Sequence, residues 1–388
     1  MIKTAFLTGT RAEYGIFYPL LNKLSGLKSF HLQIIATGMH LSPEFGLTYK
    51  EIENDGFVIN KKVEMLLSSD SDTGTIKSLA IGLMGFAEAL DELKPDLLIL
   101  LGDRYETFAC ATAAYIKKIP IIHIHGGETT EGAFDEALRH SITKMSYLHF
   151  TSTEKYKKRV IQLGEHPDRV FNVGALGLDN VCNTHFLSKT ELEKALNFTF
   201  GEKNIIVTFH PSTLETNTAS KQFTELLKAI DSYKDLKIIF TKPNADASGR
   251  IISKLIDQYV KHNQNKCISV SSLGRVRFLS ALHYIDAVVG NSSSGIIEAP
   301  SFKIPTINIG DRQKGRVQSK SVINVSPAFS EISKALDLSF SNKFRKICRN
   351  ALNPYGNGET TDKIIKILKN EFKKTINLKK SFYDTYDK

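Results

Sequence analysis

The sequence has few cysteines and no long apolar segment. Only four cysteines occur among 388 residues, and their positions show neither close pairing nor the spacing of metal ligands. We therefore interpret them as reduced thiols. No apolar run reaches the ~18 residues that a membrane span requires, and the run after Met1 is too short for a secretion signal. These absences predict a cytoplasmic protein without a membrane segment.

Acidic residues are also fewer than basic ones. The chain has 41 Asp and Glu against 51 Lys and Arg, which gives a formal net charge of +10. Residues 341–388 contain twelve Lys and Arg but only five Asp and Glu, so much of the excess belongs to one part of the surface. A solvated basic face explains such a local excess without a polyanionic partner. We expect neither nucleic acid nor a membrane among the partners.

Short internal repeats and low-complexity tracts are absent as well, and strand-like segments alternate with helix-like ones instead. The alternation restarts near residue 203, after a Gly-rich segment and a polar stretch. This pattern is typical of doubly wound parallel sheets. We therefore predict an α/β protein of two doubly wound domains, residues 1–178 and 179–388, with a ligand cleft between them. The last helix is a candidate to cross back to the first domain.

The individual elements follow from the same patterns. Strands are predicted at residues 2–8, 32–37, 97–101, 120–124 and 147–151, and again at 205–209, 237–240, 285–289 and 306–309. Helices are predicted in the first domain at residues 14–27, 76–92, 109–116 and 133–145.

The uninterrupted apolar run of residues 97–101 stops at Gly102, Asp103 and Arg104. Such a run predicts a strand buried on both faces of a parallel sheet. Ligands of these sheets bind at the carboxyl ends of the strands. A carboxylate and a guanidinium at that place suit an anionic ligand and proton transfer. The alternative is an ordinary turn with a capping Asp.

The first strand is followed by a loop of small and charged residues, GTRAEYG at positions 9–15. Small residues let the backbone approach a ligand, and the N-terminus of the next helix favours an anion. Arg11 would add a forked donor. Because the loop matches neither GxGxxG nor a P-loop, a purely structural turn is an equal alternative.

The segment HIHGGE at positions 123–128 follows another first-domain strand. His123 and His125 are expected to share one strand face, which raises the question of a zinc pair. No third ligand stands at metal spacing, so we predict no metal site.

A helix downstream carries Asp135, Glu136, Arg139 and His140. Asp135 and Arg139 are i,i+4 partners, and a surface ion pair is one interpretation of them. Beside Asp103 and Glu128 they instead resemble carboxylates held by a cation, an arrangement suited to acid–base chemistry.

The second domain has its own polar strand ends. His210 follows the strand at 205–209, and its alternative role is that of a packed or solvated histidine. The segment GNSSSGIIE at positions 290–298 predicts a strand, a tight turn and a helix start, where backbone N–H groups with Ser292 and Ser293 could bind a phosphate. Glu298 is expected within the first turn or so of that helix, where it could bind a ribose diol or only complement the helix dipole. Arg312, after the next strand, could reach the same phosphates.

Together these segments resemble one family, the hydrolysing UDP-N-acetylglucosamine 2-epimerases that make N-acetylmannosamine for sialic acid-type sugars. The family's order is kept between residues 8 and 316 by GTRAEYG, TGMHLSPEFG, LGDRYE, HIHGGE, GAFDEALRHSITK, FHP, KPN, GNSSSGIIE and GDRQKGR. The resemblance implies two Rossmann-like domains of the glycosyltransferase-B type around a central cleft, and a homodimer or homotetramer.

The resemblance also implies roles for individual residues. UDP would be held by Arg11, His210, Asn244, Phe278, Ser292, Ser293, Glu298 and Arg312. Phe278 would lie near the uracil, Glu298 on the ribose, and the serines and arginines on the diphosphate. The sugar would be faced by His40, Asp103, Arg104 and Asp135. Candidates for the catalytic set are Asp103, His125, Glu128, Asp135, Arg139 and His210.

The implied reaction begins with anti elimination of UDP to a 2-acetamidoglucal, and syn addition of water then releases the free 2-epimer. The resemblance implies no metal and no cofactor, because H-2 leaves as a proton and the diphosphate is a good leaving group.

One position departs from the family pattern. The family commonly has HIEGGE, with a catalytic Glu where this chain has His125. Either His125 takes over the acid–base role, or Glu128 does, or the substrate differs. Relatives in legionaminic acid synthesis act on UDP-N,N′-diacetylbacillosamine, a 4-acetamido-6-deoxy analogue, and nothing in the sequence excludes that substrate.

Three other functions compete with this interpretation. A glycosyltransferase of the same fold would use the same UDP site but would not need the carboxylate cluster. A non-catalytic UDP-sugar sensor could also dispense with it. A non-hydrolysing epimerase would release the UDP-linked epimer instead of the free sugar.

Overall fold

The computed structural model describes residues 1–67, 69, 71–131, 134–211, 218–243 and 249–385. The chain falls into two compact units, each described here by itself. Unit 1 comprises Met1–Glu128, Asp135–Cys182 and Tyr355–Lys388, and unit 2 comprises Thr129–Phe134 and Asn183–Pro354.

Unit 1 is built on a parallel sheet. Its strands are β1 (Ile2–Thr8), β2 (Phe30–Thr37), β3 (Ile59–Val63), β4 (Leu97–Leu101), β5 (Ile121–Ile124), β6 (Leu148–Thr151) and β7 (Val170–Asn172). They pair in the order β3-β2-β1-β4-β5-β6-β7. The order reverses between β1 and β4, which is the point where doubly wound sheets bind ligands.

Helices connect these strands and cover the sheet. They are α1 (Arg11–Ser25), α2 (Tyr49–Asn54), α3 (Asp72–Leu93), α4 (Tyr105–Ile116), α5 (Asp135–Met145), α6 (Glu154–Gln162) and α7 (Leu178–Asn183). β4, near the centre of the sheet, is apolar throughout, and all five of its residues are buried. Burial on both faces explains why this strand has no polar alternation.

Unit 2 repeats the plan with a second parallel sheet. Its strands are β8 (Lys203–Thr208), β9 (Leu236–Thr241), β10 (Cys267–Val270), β11 (Ala287–Gly290), β12 (Thr306–Ile309) and β13 (Val322–Val325). Their order is β10-β9-β8-β11-β12-β13, so the reversal lies between β8 and β11. The helices are α8 (Lys189–Leu196), α9 (Ala219–Asp231), α10 (Gly249–His262), α11 (Gly274–Ala281), α12 (Ser293–Ile297), α13 (Phe329–Phe340) and α14 (Asn342–Asn350).

The chain then returns to unit 1 with α15 (Thr360–Glu371). Ile364, Ile365 and Leu368 of this helix belong to the same buried core as α1. Asp179 receives the backbone N–H groups of Thr360 and Thr361 at 2.9 and 2.6 Å, and so caps α15 from another part of unit 1.

Residues beyond α15 continue along unit 1. The ammonium group of Lys380 donates to the carbonyl oxygens of Lys144 and Ser146, both at 2.8 Å, and to Glu165 at 2.7 Å. The ring of Phe382 fills the space where a side chain at Gly164 would lie. The C-terminal segment is therefore packed as part of unit 1.

The prediction of two Rossmann-like α/β units is confirmed. Of the four cysteines, Cys182 is exposed and the other three are buried, and none forms a disulfide. Within the described ranges, no helix has both the length and the apolar character needed to cross a bilayer.

Candidate functional site

A buried arginine joins two carboxylates at the carboxyl ends of β4 and β5. Arg139, on α5, is 2% exposed and contacts Asp103, and its second guanidinium nitrogen lies 3.9 Å from Glu128. The side chain of Asp103 is 20% exposed whereas that of Glu128 is 3% exposed. Asp103 is therefore the more accessible of the two carboxylates, and Arg139 offsets the repulsion between them.

The structure thus brings Asp103, Glu128 and Arg139 together as the sequence predicts. Asp135 begins α5 one turn before Arg139 and is half-buried. Because Arg139 is almost completely buried, a purely exposed ion pair on the surface of α5 is the wrong interpretation of this helix. The start of that helix was predicted at residue 133, which lies outside the described residues.

His125 is held by protein groups at both ring nitrogens. Its Nε2 accepts the backbone N–H of Leu176 at 3.3 Å, and its Nδ1 lies 3.5 Å from Oε1 of Glu128. The same Oε1 accepts the hydroxyl of Ser152 at 2.6 Å. His125, Glu128 and Arg139 therefore form one connected group that ends at Asp103.

The expectation that His123 and His125 share a strand face is wrong. β5 ends at Ile124, and His125 has a φ of +66°, so the alternation of the strand no longer applies. His123 instead contacts Thr143 at 3.1 Å and the carbonyl oxygen of Gly102 at 2.7 Å, and burial lowers its pKa to about 3. In the part of the chain that the structure describes, no three His, Cys, Asp or Glu side chains form a group that could hold a metal.

Glu13 occupies part of the turn after β1 that was predicted to bind an anion. Glu13 accepts the backbone N–H groups of Gly9 and Thr10 at 2.8 and 3.1 Å, and its own N–H is received by the Thr10 hydroxyl. This capping box satisfies the N–H groups of Gly9 and Thr10, which precede α1, and that of Glu13 in the first turn of the helix. Burial is the main reason why the pKa of Glu13 rises to about 7, and the nearby charge of Glu106 adds to it.

Arg104 lies beside this pair of carboxylates. Its guanidinium group binds both oxygens of Glu106 at 3.1 and 3.2 Å, and Glu106 is 1% exposed. The charge of Arg104 is therefore largely balanced within unit 1. Arg104 holds the turn after β4 and offers less net charge to a ligand than the sequence suggests.

Two further residues predicted to contact the substrate, Arg11 and His40, also bind other side chains of unit 1. Arg11 forms an ion pair with Glu51 at 2.5 Å. His40 is fully buried, and its two ring nitrogens contact the hydroxyls of Thr8 and Thr48 at 3.0 and 2.8 Å. Burial lowers the pKa of His40 to about 4. A direct contact from this ring to a sugar would require these two hydrogen bonds to change.

In unit 2, the predicted residues Ser292 and Arg312 lie around the end of β11. Gly290 has a φ of +129°, and a Cβ there would lie 1.9 Å from the carbonyl oxygen of Thr208. Glycine is therefore required where β11 passes the end of β8. Ser292 caps α12 through the N–H of Ser294, and Nη1 of Arg312 donates to the carbonyl oxygen of Asn291 at 3.1 Å.

Glu298 occupies a different place from the one predicted. α12 spans only Ser293–Ile297, so Glu298 is its C-cap and not part of its first turn. Dipole complementation at the start of α12 is therefore wrong for this carboxylate, which is 9% exposed and instead precedes a short 3-10 helix, Ala299–Phe302. Phe278 is half-buried on α11, and Asn244 lies outside the described residues.

Sequence reasoning did not single out Glu13, Glu106 or Asn291. The signal for Glu13 was present, since Thr10 followed by Glu13 is the S/T-x-x-E pattern of a capping box. Glu106 and Asn291 are recognised only from their partners in the folded chain.

The comparisons with known proteins agree with this architecture. A family model described as "UDP-N-acetylglucosamine 2-epimerase" matches residues 22–369. A crystal structure of UDP-GlcNAc 2-epimerase from Neisseria meningitidis bound to UDP-GlcNAc superimposes with a TM-score of 0.80. It is 19% identical and covers 95% of this chain and 100% of its own, so it supports the fold.

Three curated relatives align over nearly their whole length. A "GDP/UDP-N,N'-diacetylbacillosamine 2-epimerase (hydrolyzing)" from Campylobacter jejuni is 44% identical over 98% of this chain and 99% of its own. "Polysialic acid biosynthesis protein P7" from Escherichia coli is 41% identical over 99% and 98%. A "UDP-N,N'-diacetylbacillosamine 2-epimerase (hydrolyzing)" from Legionella pneumophila is 35% identical over 95% of each. Together with the fold and the two strand-end sites, these matches show that the chain belongs to the UDP-N-acetylglucosamine 2-epimerase family.

Proposed function

We propose that this chain is a hydrolysing 2-epimerase whose substrate is the nucleotide-activated sugar UDP-N,N′-diacetylbacillosamine. The observation that carries the chemistry is the array of Asp103, Arg139 and Glu128 at the ends of β4 and β5. Two relatives named for this sugar, at 44% and 35% identity, support the substrate. They favour it over UDP-N-acetylglucosamine, to which the sequence motifs alone had pointed first.

The reaction proposed for this array has two steps and no net oxidation. A base removes H-2 as a proton, the C1–O bond breaks with its electron pair going to the diphosphate, and a C1=C2 double bond forms. Water then adds its hydroxyl to C1 while a proton is delivered to C2 on the opposite face from the one that lost H-2. The products are UDP and the free 2-epimer.

Residues of unit 1 serve the sugar in this proposal. Asp103 and Asp135 transfer the protons, since one is the accessible carboxylate of the array and the other begins the helix that carries Arg139. Arg139 balances the charge, and His125 and Glu128 are the remaining members of the group. His40 and Arg104 belong to the neighbouring strand ends.

Residues of unit 2 serve UDP in the same proposal. Arg312 and the hydroxyls of Ser292 and Ser293 would bind the diphosphate, and Glu298 the ribose. The other residues proposed for UDP are His210, Asn244 and Phe278 of unit 2 and Arg11 of unit 1. In the part of unit 2 that the structure describes, the residues proposed for UDP lie at the carboxyl ends of strands or on the segments that follow them. Parallel sheets bind ligands at this edge.

A second candidate substrate is UDP-N-acetylglucosamine, which the description of the matching family favours. It differs from the first at C4 and C6, away from the bonds that change. The same residues and steps would therefore serve both sugars.

Nuclear magnetic resonance in D2O tests the proposal directly. The protein is incubated with UDP-N,N′-diacetylbacillosamine, its GDP-linked analogue and UDP-N-acetylglucosamine in separate samples. Release of free 2-epimer carrying deuterium at C2, fastest from the first substrate, is the expected result. Faster turnover of another sample reassigns the sugar or the nucleotide.

Three other outcomes would contradict the proposal. A UDP-linked epimer indicates a non-hydrolysing enzyme, turnover that requires an added acceptor indicates a transferase, and binding without turnover indicates a sensor.

A further inference from the structure

Five hydrogen bonds of unit 2 meet at one buried residue, Asn291. Its side chain is 2% exposed and lies between the end of β11 and α12. Its Oδ1 accepts the backbone N–H of His210 at 2.7 Å, and its Nδ2 donates to the carbonyl oxygen of His210 at 2.8 Å. The amide thus binds both polar groups of a single residue, as a neighbouring strand would.

The backbone of Asn291 has partners on two other segments. Its N–H donates to Thr208 at the end of β8, at 3.0 Å. Its carbonyl oxygen accepts two donors from the loop after β12, namely Arg312 at 3.1 Å and Gln313 at 2.8 Å. Gln313 is fully buried. Three strand-end segments, at His210, at Asn291 itself and at Arg312, are therefore tied to one residue.

The backbone of β11 also passes close to that of β8, just before Asn291. Because Gly290 brings β11 against Thr208, the position of Asn291 relative to β8 is fixed on its N-terminal side. A side chain that kept only one of the two bonds to His210 would give up a hydrogen bond in a buried place, which is costly.

We propose that Asn291 is a positioning residue for the nucleotide: it holds His210 and the guanidinium of Arg312 in the places from which they bind the diphosphate. This inference rests on the proposed function, because it assumes that these two residues contact UDP. Asn291 itself need not touch the ligand. Its role is to fix His210 and Arg312, which both lie outside the strands and helices of unit 2.

The test compares the contribution of the diphosphate to binding in the wild type and four variants by isothermal titration calorimetry. The ratio of the dissociation constants of uridine and UDP measures that contribution. Asn291→Ala removes both side-chain bonds to His210, and we expect the ratio to fall about tenfold, which is about 1.4 kcal/mol. Asn291→Ser keeps one short hydroxyl, so its ratio should lie between those of Asn291→Ala and the wild type. This variant replaces Asn291→Ala in the test if the Ala variant does not fold.

Asn308→Ala is the matched control. Asn308 is also 2% exposed, lies on β12 opposite Gly290, and bonds to Asn324 at 2.8 Å. The variant loses a buried amide in the same sheet without touching His210 or Arg312. Its melting temperature should fall as that of Asn291→Ala does, whereas its uridine-to-UDP ratio should stay at the wild-type value.

Arg312→Ala separates the inference from the function beneath it. Wild-type protein that does not bind UDP, or an Arg312→Ala variant with unchanged UDP affinity, contradicts the proposed nucleotide site and this inference with it. If Arg312→Ala weakens UDP but the Asn291 variants match Asn308→Ala, only the positioning role is overturned.

Discussion

His125 is expected to act through Glu128 and not as the base that removes H-2. Its Nε2 lone pair is engaged by the backbone N–H of Leu176 at 3.3 Å, which leaves the ring proton on Nδ1, facing Glu128 at 3.5 Å. A neutral ring in this tautomer has no second lone pair for a substrate proton. The perturbation that tests this is His125→Gln, compared with His125→Asn and His125→Ala.

The structure gives different expectations for the three variants. Gln can place an amide oxygen near the N–H of Leu176, and Asn can place an amide nitrogen near Glu128 and tolerates the positive φ of this position. Ala leaves the buried N–H of Leu176 unpaired, at a cost of about 1–3 kcal/mol. If His125 positions Glu128, we expect Gln or Asn to retain turnover within about tenfold of the wild type, while Ala loses more.

Turnover numbers and Michaelis constants from UDP release, with circular dichroism as a check of folding, give the answer. An acid–base role predicts that Gln, Asn and Ala all lose about 10²–10⁴-fold in turnover, because none of them titrates near neutral pH. That result in folded variants would refute the positioning argument. A His125→Glu variant that changes the preference between the two UDP-sugars would show instead that His125 selects the substrate.

Two further predictions concern the carboxylates. Asp103→Asn and Asp135→Asn should each lower the rate of sugar release by about 10²–10⁴-fold, because the amide keeps the shape but cannot accept the proton; Asp91→Asn, which removes only an exposed ion pair with Lys117, should leave the rate unchanged. Near-wild-type rates in both Asn variants would reject the assignment. Lys380→Met should lower the melting temperature at pH 7 relative to Lys379→Met. Burial raises the pKa of Glu165, but hydrogen bonds from His149, Lys144 and Lys380 outweigh it and bring the pKa from 4.5 to about 2. A carboxyl group whose pKa is depressed in the folded state stabilises the fold at pH values above about 4.5. The difference in melting temperature between the two variants should therefore shrink as the pH falls from 4.5 towards 2. A difference that stays constant over this range would contradict the prediction.

Elements with an unbroken apolar signal could be predicted from the sequence. β4 has the predicted bounds, since all five of its residues are buried and apolar. β12 has them too, because all four of its residues are buried although Thr306 and Asn308 are polar. β3 was not predicted, because the sequence INKKV is only partly buried and carries two lysines. α4 begins at Tyr105 and not at residue 109, since Glu106 and Thr107 in its first turn are polar yet buried, and this conceals the helical periodicity.

The site was predictable to the extent that it depends on strand ends. Asp103 follows a strand whose burial is evident from its sequence, and parallel topology then places it at the ligand edge. Its association with Glu128 and Arg139 was predicted as well, because both follow β5, the strand next to β4. The left-handed conformation of His125 and the hydrogen bonds to Asn291 have no local signature, because they are set by segments that meet only in the folded chain.

The return of the chain to unit 1 has a consequence for synthesis on the ribosome. Unit 1 needs Ile364, Ile365 and Leu368 to close its core, but the whole of Asn183–Pro354 is made before them. At about 5–20 residues per second, that delay is roughly 10–30 s. During this time the nascent unit 1 exposes the apolar surface that α15 later covers, while unit 2 can already fold on its own residues. During synthesis, unit 2 is therefore expected to finish folding before unit 1, although the sheet of unit 1 comes first in the sequence.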